Sequence, residues 1–189
     1  MKSGIPSAFG ATVLLLAACV PSVNPFFTED DIEFDPALIG QWVEDDDIWA
    51  FEQLEDQPAY GLTITEDGKT GAFQATLFSL GDDRFLDITP VDIEYPDDEL
   101  DLVEAAMIPG HLALHVRAIE PRLELNLTDP DWVDDYLEAH PRAVEHRRDD
   151  DRIILTGKTR ELQRFLRRHL NDGLFDDDYS EMARITGDR

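Results

Sequence analysis

Short runs of alternating apolar and polar residues fill the region between residues 38 and 89, and turn sequences separate them. In the run 48–54, for example, Trp49 and Phe51 fall on the same side. A period of two is typical of strands with one buried face. The Asp-Gly dipeptide at 67–68 favours a tight hairpin turn. The pattern predicts an antiparallel meander of strands.

Alternating runs continue downstream, and a helix start follows them. The predicted strands are 38–43, 48–54, 60–65, 71–80, 84–89, 112–119, 123–127 and 152–156. Asp129 and Pro130 begin a helix, because Asp129 can accept free backbone N–H groups and Pro130 fits the first helical position. A short helix is also predicted over 98–107. We predict a mainly β fold, an antiparallel barrel or sandwich with two short helices near the C-terminus.

The second C-terminal helix is predicted to be capped by Thr159 and to have one apolar and one basic face. Its apolar face consists of Leu162, Phe165, Leu166 and Leu170. Its basic face consists of Arg160, Arg164, Arg167 and Arg168. We expect the basic face to dock on the acidic surface of the same domain; anionic lipid and another chain are the alternatives.

The N-terminus has the pattern of a secretory signal. Lys2 is the only charged residue before Glu29, and an apolar stretch over 8–20 follows it. That stretch is shorter than the roughly 20 residues that a membrane-spanning helix needs. A positive start, a short apolar core and small residues at its end predict a cleaved signal peptide.

The end of this stretch, Leu16-Ala17-Ala18-Cys19, resembles the lipobox of bacterial lipoproteins. The resemblance implies cleavage before Cys19 and lipid attachment to its thiol, with the membrane as a partner through that lipid. Val20 follows instead of an aspartate, which in that class implies the outer membrane. Cys19 is the only cysteine, so an intramolecular disulfide is excluded. The alternative is an ordinary signal peptide that ends near a buried cysteine.

Four parts of the precursor are predicted from these patterns. They are a signal peptide over 1–18, a lipidated tether and lead-in over 19–36, a single β-rich domain over 37–170, and an acidic, frayed tail over 171–189. Prolines 21, 25 and 36 favour the tether, although its phenylalanines indicate that part of it packs on the domain. Fully extended, the tether would reach about 55 Å.

The formal net charge of −26 limits the partners. A surface this negative repels the phosphates of nucleic acid, so we expect no nucleic-acid partner. It also repels anionic headgroups, so the domain is expected to stand away from its membrane. The aspartate runs at 45–47, 149–151 and 176–178 lack the alternating ligands and central glycine of a calcium loop. We predict no metal and no cofactor, and we interpret the acidity as typical of a saline habitat.

Gly40 and Trp42 on the first predicted strand resemble the G-x-W motif of lipocalins. In that family the tryptophan closes the bottom of an eight-stranded ligand-binding barrel, and an arginine on the last strand packs against it. Arg152 is the nearest candidate here for that arginine. The helix at Trp132 departs from the family because it precedes the last predicted strand. The alternative is an ordinary core tryptophan beside a tight turn.

A wider pattern resembles a group of uncharacterised bacterial lipoproteins over nearly all of the mature chain. Its motifs are Asn24-Pro25, the strand with Gly40 and Trp42, Asp129-Pro130-Asp131-Trp132, and Leu155-Thr156 followed by Glu161-Leu162-Gln163. The resemblance brings no known activity.

No catalytic motif is found. Gly157-Lys158-Thr159 is not a phosphate-binding loop, because the glycine required five positions earlier is Arg152. His111 and His115 are interpreted as exposed strand residues about 13 Å apart, too distant to bind one ion.

The sequence therefore predicts a lipid-anchored, non-enzymatic envelope protein. Its predicted role is to bind an apolar small molecule or lipid inside the barrel. The alternative is an interaction or structural module with a filled core, which meets another envelope protein through the arginine helix or the loop at 90–110. An enzyme ranks third.

Overall fold

The computed structural model describes residues 19–91, 108–149, 152–175 and 178–186. The strands of this part are β1 (Ile32–Glu33), β2 (Gly40–Glu44), β3 (Asp47–Gln53), β4 (Tyr60–Glu66), β5 (Lys69–Leu80), β6 (Asp83–Pro90), β7 (Leu112–Ala118), β8 (Arg122–Leu127), β9 (His146–Asp149), β10 (Arg152–Leu155) and β11 (Ser180–Arg184). The α-helices are α1 (Pro130–Ala139) and α2 (Thr159–His169), and Glu29–Asp31 and Pro36–Leu38 form short 3-10 helices.

Eight strands form a closed antiparallel barrel. Strands β2 to β8 are neighbours in space in the same order as in the chain, and β11 pairs with both β8 and β2 to close the ring. Closure leaves no unpaired edge among these strands. The predicted fold class is confirmed: the chain is mainly β, with an antiparallel barrel and two helices near the C-terminus.

The inside of the barrel is one of two hydrophobic cores. Trp42 on β2 is paired with Trp49 on β3, and both side chains point into the barrel. Along each strand, every second side chain points inwards in the same way. The inward-facing strand side chains with an exposure of 0% are Trp42, Tyr60, Ala75, Leu77, Leu86 and Leu123. A side chain with no exposed surface has no water-sized space beside it. The middle of the barrel is therefore filled by its own side chains.

The second core lies between the outside of the barrel and the two helices. Phe78 on β5 and Phe85 on β6 face outwards and pack with Val133 on α1 and Phe165 on α2. Each of these side chains stabilises the fold by about 1.5–3 kcal/mol when fully buried. The helices therefore cover one side of the barrel.

The predicted start of α1 is confirmed by its hydrogen bonds. The Asp129 carboxylate accepts the backbone N–H groups of Asp131 at 2.8 Å and Trp132 at 3.0 Å. The start of α2 differs from its prediction, because Thr159 is its first helical residue and not its cap. Lys158 precedes the helix, and its N–H donates to the Glu161 carboxylate at 3.2 Å.

The prediction of a frayed tail over 171–189 is wrong for its middle part. Ser180–Arg184 form β11, the strand that closes the barrel, and Met182 points into the core with an exposure of 3%. A five-residue strand with Glu181 and Arg184 carries too little alternation to be distinguished from a polar tail. Its partners, β2 and β8, stabilise it.

The run at 152–156 was predicted as a strand of the main domain, and the structure places it outside the barrel. It forms β10, which pairs with β9 in a separate two-stranded sheet, and an isolated bridge joins its Leu155 to Ser22. The predicted helix over 98–107 lies outside the described residues.

The lead-in is not a free tether. Val20 is 3% exposed, Ser22 is fully buried and Phe26 is 1% exposed. The segment runs along the outside of the barrel until Pro36–Leu38, where Leu38 is buried against the inner core. Apolar contacts stabilise it against the barrel, so the predicted reach of the tether does not apply.

Candidate functional site

The Gly40-Trp42 motif closes one end of the barrel. The Trp42 ring is fully buried, and its indole N–H donates to the Leu38 carbonyl oxygen at 2.9 Å. The 3-10 helix that contains Leu38 covers this end. We call it the closed end; it includes Gly40, the turn at 81–82 and the last residue of β11. Trp42 is therefore a core residue at this end of the barrel, and the resemblance to lipocalins stays a prediction.

Arg184, not Arg152, is the arginine that packs on Trp42. Its guanidinium carbon lies 4.2 Å from the centroid of the Trp42 ring. It also donates to the Ile39 carbonyl oxygen at 2.7 Å and to the Ala37 carbonyl oxygen. Arg152 lies on β10, outside the barrel, so it cannot have this role. Sequence reasoning missed Arg184 because the alternation in β11 is too weak to distinguish this strand from a polar tail.

Two features require a glycine at position 40: the backbone conformation there and the nearby side chain of Arg184. Its φ of +134° is a conformation that residues with a Cβ rarely adopt. A Cβ placed there would lie 2.6 Å from Nη1 of Arg184. The motif and the arginine are therefore one packing unit, which the structure brings together from the two ends of the domain.

Cys19 lies at the opposite end, which we call the rim. The rim carries the turns at 45–46 and 67–68 and the chain ends next to them, Pro90 and Leu112. Burial raises the pKa of the Cys19 thiol, and the nearby Glu66 carboxylate raises it further. The two sites predicted from the sequence, Cys19 and the Gly40-Trp42 motif, thus lie at different ends of the barrel.

Carboxylates and apolar side chains meet at the rim. Burial raises the pKa of Glu66, and repulsion from Asp47 adds to this effect. Burial and the nearby Asp67 likewise raise the pKa of Asp47. The inward-facing side chains of Trp49 and Ile64 are only partly buried, in contrast to those deeper in the barrel.

His111 connects the lead-in to the barrel. Its Nδ1 lies 2.7 Å from the Asp87 carboxylate, which is 2% exposed and also accepts the Phe26 N–H at 2.8 Å. Backbone hydrogen bonds of 2.8 Å join His111 and Ser22 in both directions. His111 was predicted to be exposed, and it is instead partly buried because the lead-in covers it.

His115 is also partly buried, contrary to its prediction. Its Nδ1 lies 2.5 Å from the Tyr179 hydroxyl, and its ring packs against Phe85 and Phe175. Burial lowers the pKa of His115 and outweighs the opposite effect of Asp83. The contact connects β7 to the segment before β11. A surface cleft of about 410 Å³ lies beside this pair.

A second cleft, of about 470 Å³, separates the loop before β9 from α2. Arg142, Arg164 and Arg168 line it, together with the apolar side chains of Val144 and Phe165. Glu145 and Glu161 line it as well. We call the exposed arginines that line it, together with Arg160 one turn before Arg164 on α2, the arginine face; its members are Arg142, Arg160, Arg164 and Arg168.

The predicted docking of the basic face on the acidic surface of its own domain is seen only at Arg167, which interacts electrostatically with Asp31. The arginine face does not dock there. Within the described ranges, Arg142, Arg160 and Arg168 have no carboxylate at ion-pair distance. Arg164 has only a distant contact with Glu161, at 3.9 Å. The apolar side of α2 is the side that packs on the domain, so these arginines face solvent.

The described part of the chain contains neither a metal-ligand cluster nor a membrane-spanning helix. No group of three or more histidine, cysteine, aspartate or glutamate side chains there is arranged to hold a metal ion. No helix in the same part is both long and apolar enough to cross a bilayer.

Comparisons with known proteins identify no relative. The chain matches no protein-family model, no curated protein and no solved structure.

Proposed function

We propose that the chain is a lipid-anchored protein of the bacterial cell envelope, located at the outer membrane, that binds an acidic region of another envelope protein through its arginine face. In this proposal the barrel is a filled scaffold, lipid on Cys19 provides the attachment, and the protein is not an enzyme. The single observation that carries it is that three of the four arginines of this face, Arg142, Arg160 and Arg168, have no ion-pair partner among the described residues, on a chain with a net charge of −26.

The charge distribution supports this proposal. Nine of the sixteen basic residues lie between Arg142 and Arg168, whereas the chain has 42 acidic residues. Three of the four arginines nevertheless have no carboxylate at ion-pair distance in the part of the chain that the structure describes, so this surface is complementary to an external anion. Such complementarity guides association and selects partners.

The packing of the barrel favours this role over a ligand inside it. Small-molecule pockets typically enclose about 300–1,000 Å³. Trp42, Tyr60 and Leu77 occupy the middle of the barrel with no exposed surface. The two clefts of ligand size described above lie outside it.

Site-specific crosslinking in cells tests the arginine face. A photoreactive amino acid at Ala143, an exposed position in the cleft, should form a defined crosslinked species. Arg164→Glu combined with Arg168→Glu should reduce its yield about ten-fold, equivalent to about 1.4 kcal/mol. The matched control, Lys69→Glu with Arg122→Glu, changes the net charge equally at exposed positions elsewhere. An unchanged yield in the cleft variant, or an equal loss in the control, would overturn the proposal.

Membrane fractionation tests the anchor separately. Cys19→Ser removes the thiol that accepts the lipid, so the protein should move from the membrane pellet to the soluble fraction. Its retention in the pellet would contradict lipid attachment at this residue.

Native mass spectrometry tests the filled scaffold. The protein purified from its own membrane should have the mass of the acylated chain and nothing more. A co-purified apolar molecule in constant ratio would instead support ligand binding inside the barrel.

A further inference from the structure

The first residues after Cys19 are held between two parts of the domain. Ser22 and His111 exchange backbone hydrogen bonds of 2.8 Å, next to the start of β7. On the other side, the Leu155 N–H donates to the Pro21 carbonyl at 2.8 Å, and the Val23 N–H donates to the Leu155 carbonyl at 3.0 Å. Val20 is 3% exposed. The backbone is therefore fixed to the domain from the first residues after Cys19.

Contacts further along keep the lead-in in place. The Asn24 side-chain amide donates to the Gly157 carbonyl at 3.0 Å. The Gln163 side chain on α2 donates to the Phe26 carbonyl at 3.0 Å and to the Asp31 carboxylate at 2.8 Å. Because Gly157 and Gln163 belong to the domain, these contacts fix the position of the lead-in, and so of Cys19, relative to the domain.

The positions of the exposed apolar side chains indicate independently which end of the barrel faces lipid. Of the four large apolar side chains that are exposed within the described ranges, three lie at or beside the rim: Val23, Val91 and Ile108. Ile108 is 71% exposed. Exposed apolar groups that cluster at one end of an acidic protein are typical of a surface that meets a membrane or a partner.

We infer, given the proposed lipid attachment at Cys19, that the barrel rests directly on the bilayer with its rim towards the lipid and its closed end away from it. This replaces the expectation that the domain stands away from the membrane. The orientation follows from the short connection between Cys19 and the buried Val20, and the apolar side chains at the rim support it. The arginine face then points sideways, where a neighbouring envelope protein can reach it.

Probes placed at the two ends of β5 can measure this orientation. The strand has twelve residues, which span about 40 Å. The tilt of strands in barrels reduces this to about 30 Å along the barrel axis. Thr70 lies near the rim end and Asp82 lies just past the closed end, and both are exposed. A probe at each position reports a very different height above the bilayer.

Depth-dependent quenching tests the inference with the full lipidated protein. Because the only native thiol carries the lipid, Thr70→Cys and Asp82→Cys each offer one thiol for a fluorophore. The labelled proteins are placed in phosphatidylcholine vesicles that contain lipids with headgroup nitroxides. The zwitterionic lipid avoids repulsion from the rim carboxylates. We expect the Thr70→Cys label to lose most of its fluorescence and the Asp82→Cys label to lose almost none.

A linker variant provides the matched control. A Gly-Ser insertion of about ten residues between Cys19 and Val20 keeps the anchor and adds a mean reach of about 18 Å. It should abolish most of the difference between the two labels. Equal quenching of both labels without the insertion, or no quenching of either on bound protein, would overturn the orientation while leaving the anchor intact. Protein that fails to bind the vesicles would contradict the anchor itself.

Discussion

At the scale of residues, Gly40 shows how one backbone position holds the closed end together. Its φ of +134° is unfavourable for most other residues, and a Cβ at this position would lie only 2.6 Å from Nη1 of Arg184. The hydrogen bonds of Arg184 to Ile39 and Ala37 keep the guanidinium there. Glycine, tryptophan and arginine therefore depend on one another, and the effect of changing one can be measured.

Gly40→Ala should lower the free energy of unfolding by about 1–3 kcal/mol, because the new Cβ meets Arg184 and strains the backbone. Urea denaturation followed by tryptophan fluorescence measures this change. Gly68→Ala is the matched control, since Gly68 has a φ of +74° but no atom within 4 Å of a new Cβ. Equal losses in the two variants would show that the contact with Arg184 contributes nothing.

Glu66 at the rim provides a pH-dependent prediction. Burial and the neighbouring Asp47 raise its pKa, so ionised Glu66 destabilises the folded state. This destabilisation is present above the folded pKa and disappears below the unfolded value of about 4.3. Glu66→Gln should therefore raise the free energy of unfolding at about pH 7 and lose this advantage at about pH 3.5.

The control for this prediction is Glu55→Gln, which removes one charge from the exposed loop after β3. Urea denaturation at both pH values compares the two variants. A gain that is the same for both would reflect the general excess of negative charge. A gain from Glu66→Gln that persists in acid would contradict the assigned cause.

At the scale of elements, β11 determines whether the barrel is closed. It pairs with β8 through Ser180–Ala183 and with β2 through Ala183 and Arg184. It also carries the arginine that packs on Trp42. An open barrel would expose the edges of β2 and β8, and exposed edges promote aggregation.

A chain that ends at residue 179 should therefore lose cooperative unfolding and form aggregates. A chain that ends at Thr186 keeps β11 and should unfold as the full chain does. Circular dichroism during thermal unfolding and size-exclusion chromatography compare the two. A cooperative, monomeric short chain would show that β11 is dispensable.

At the scale of the whole molecule, acidic and basic residues are distributed unevenly along the chain. The net charge of −26 is carried mostly outside the region between Arg142 and Arg168. Repulsion among the carboxylates destabilises the compact state, and salt screens it over a Debye length of about 8–10 Å. The fold is therefore expected to depend on ionic strength.

The free energy of unfolding should rise between about 0.05 M and 1 M sodium chloride, because the Debye length falls to about 3 Å. Thermal unfolding at several salt concentrations measures this dependence. A flat or falling dependence would contradict a dominant role for self-repulsion. Sucrose, which carries no charge, serves as the control for effects of cosolutes that are not electrostatic.

The local patterns of the sequence were sufficient to predict most of the fold. Alternation and turn residues predicted the seven consecutive barrel strands β2 to β8, and Asp129 with Pro130 predicted the start of α1. Such signals depend on residues within about ten positions of one another. The Gly40-Trp42 motif was recognised for the same reason, although its arginine was assigned to Arg152.

By itself, the sequence determined the class of the fold, the meander and a motif for closing the barrel. The tertiary structure decided the rest: the pairing of β11 with β2, the packing of Arg184 on Trp42, and the burial of the lead-in. The hydrogen bond from Arg184 to Ile39 joins residues 145 positions apart, and the one from Asn24 to Gly157 spans 133. The segments around these residues have weak periodicity of their own. They become ordered because the barrel and the helices provide partners, and only the folded chain brings those partners together.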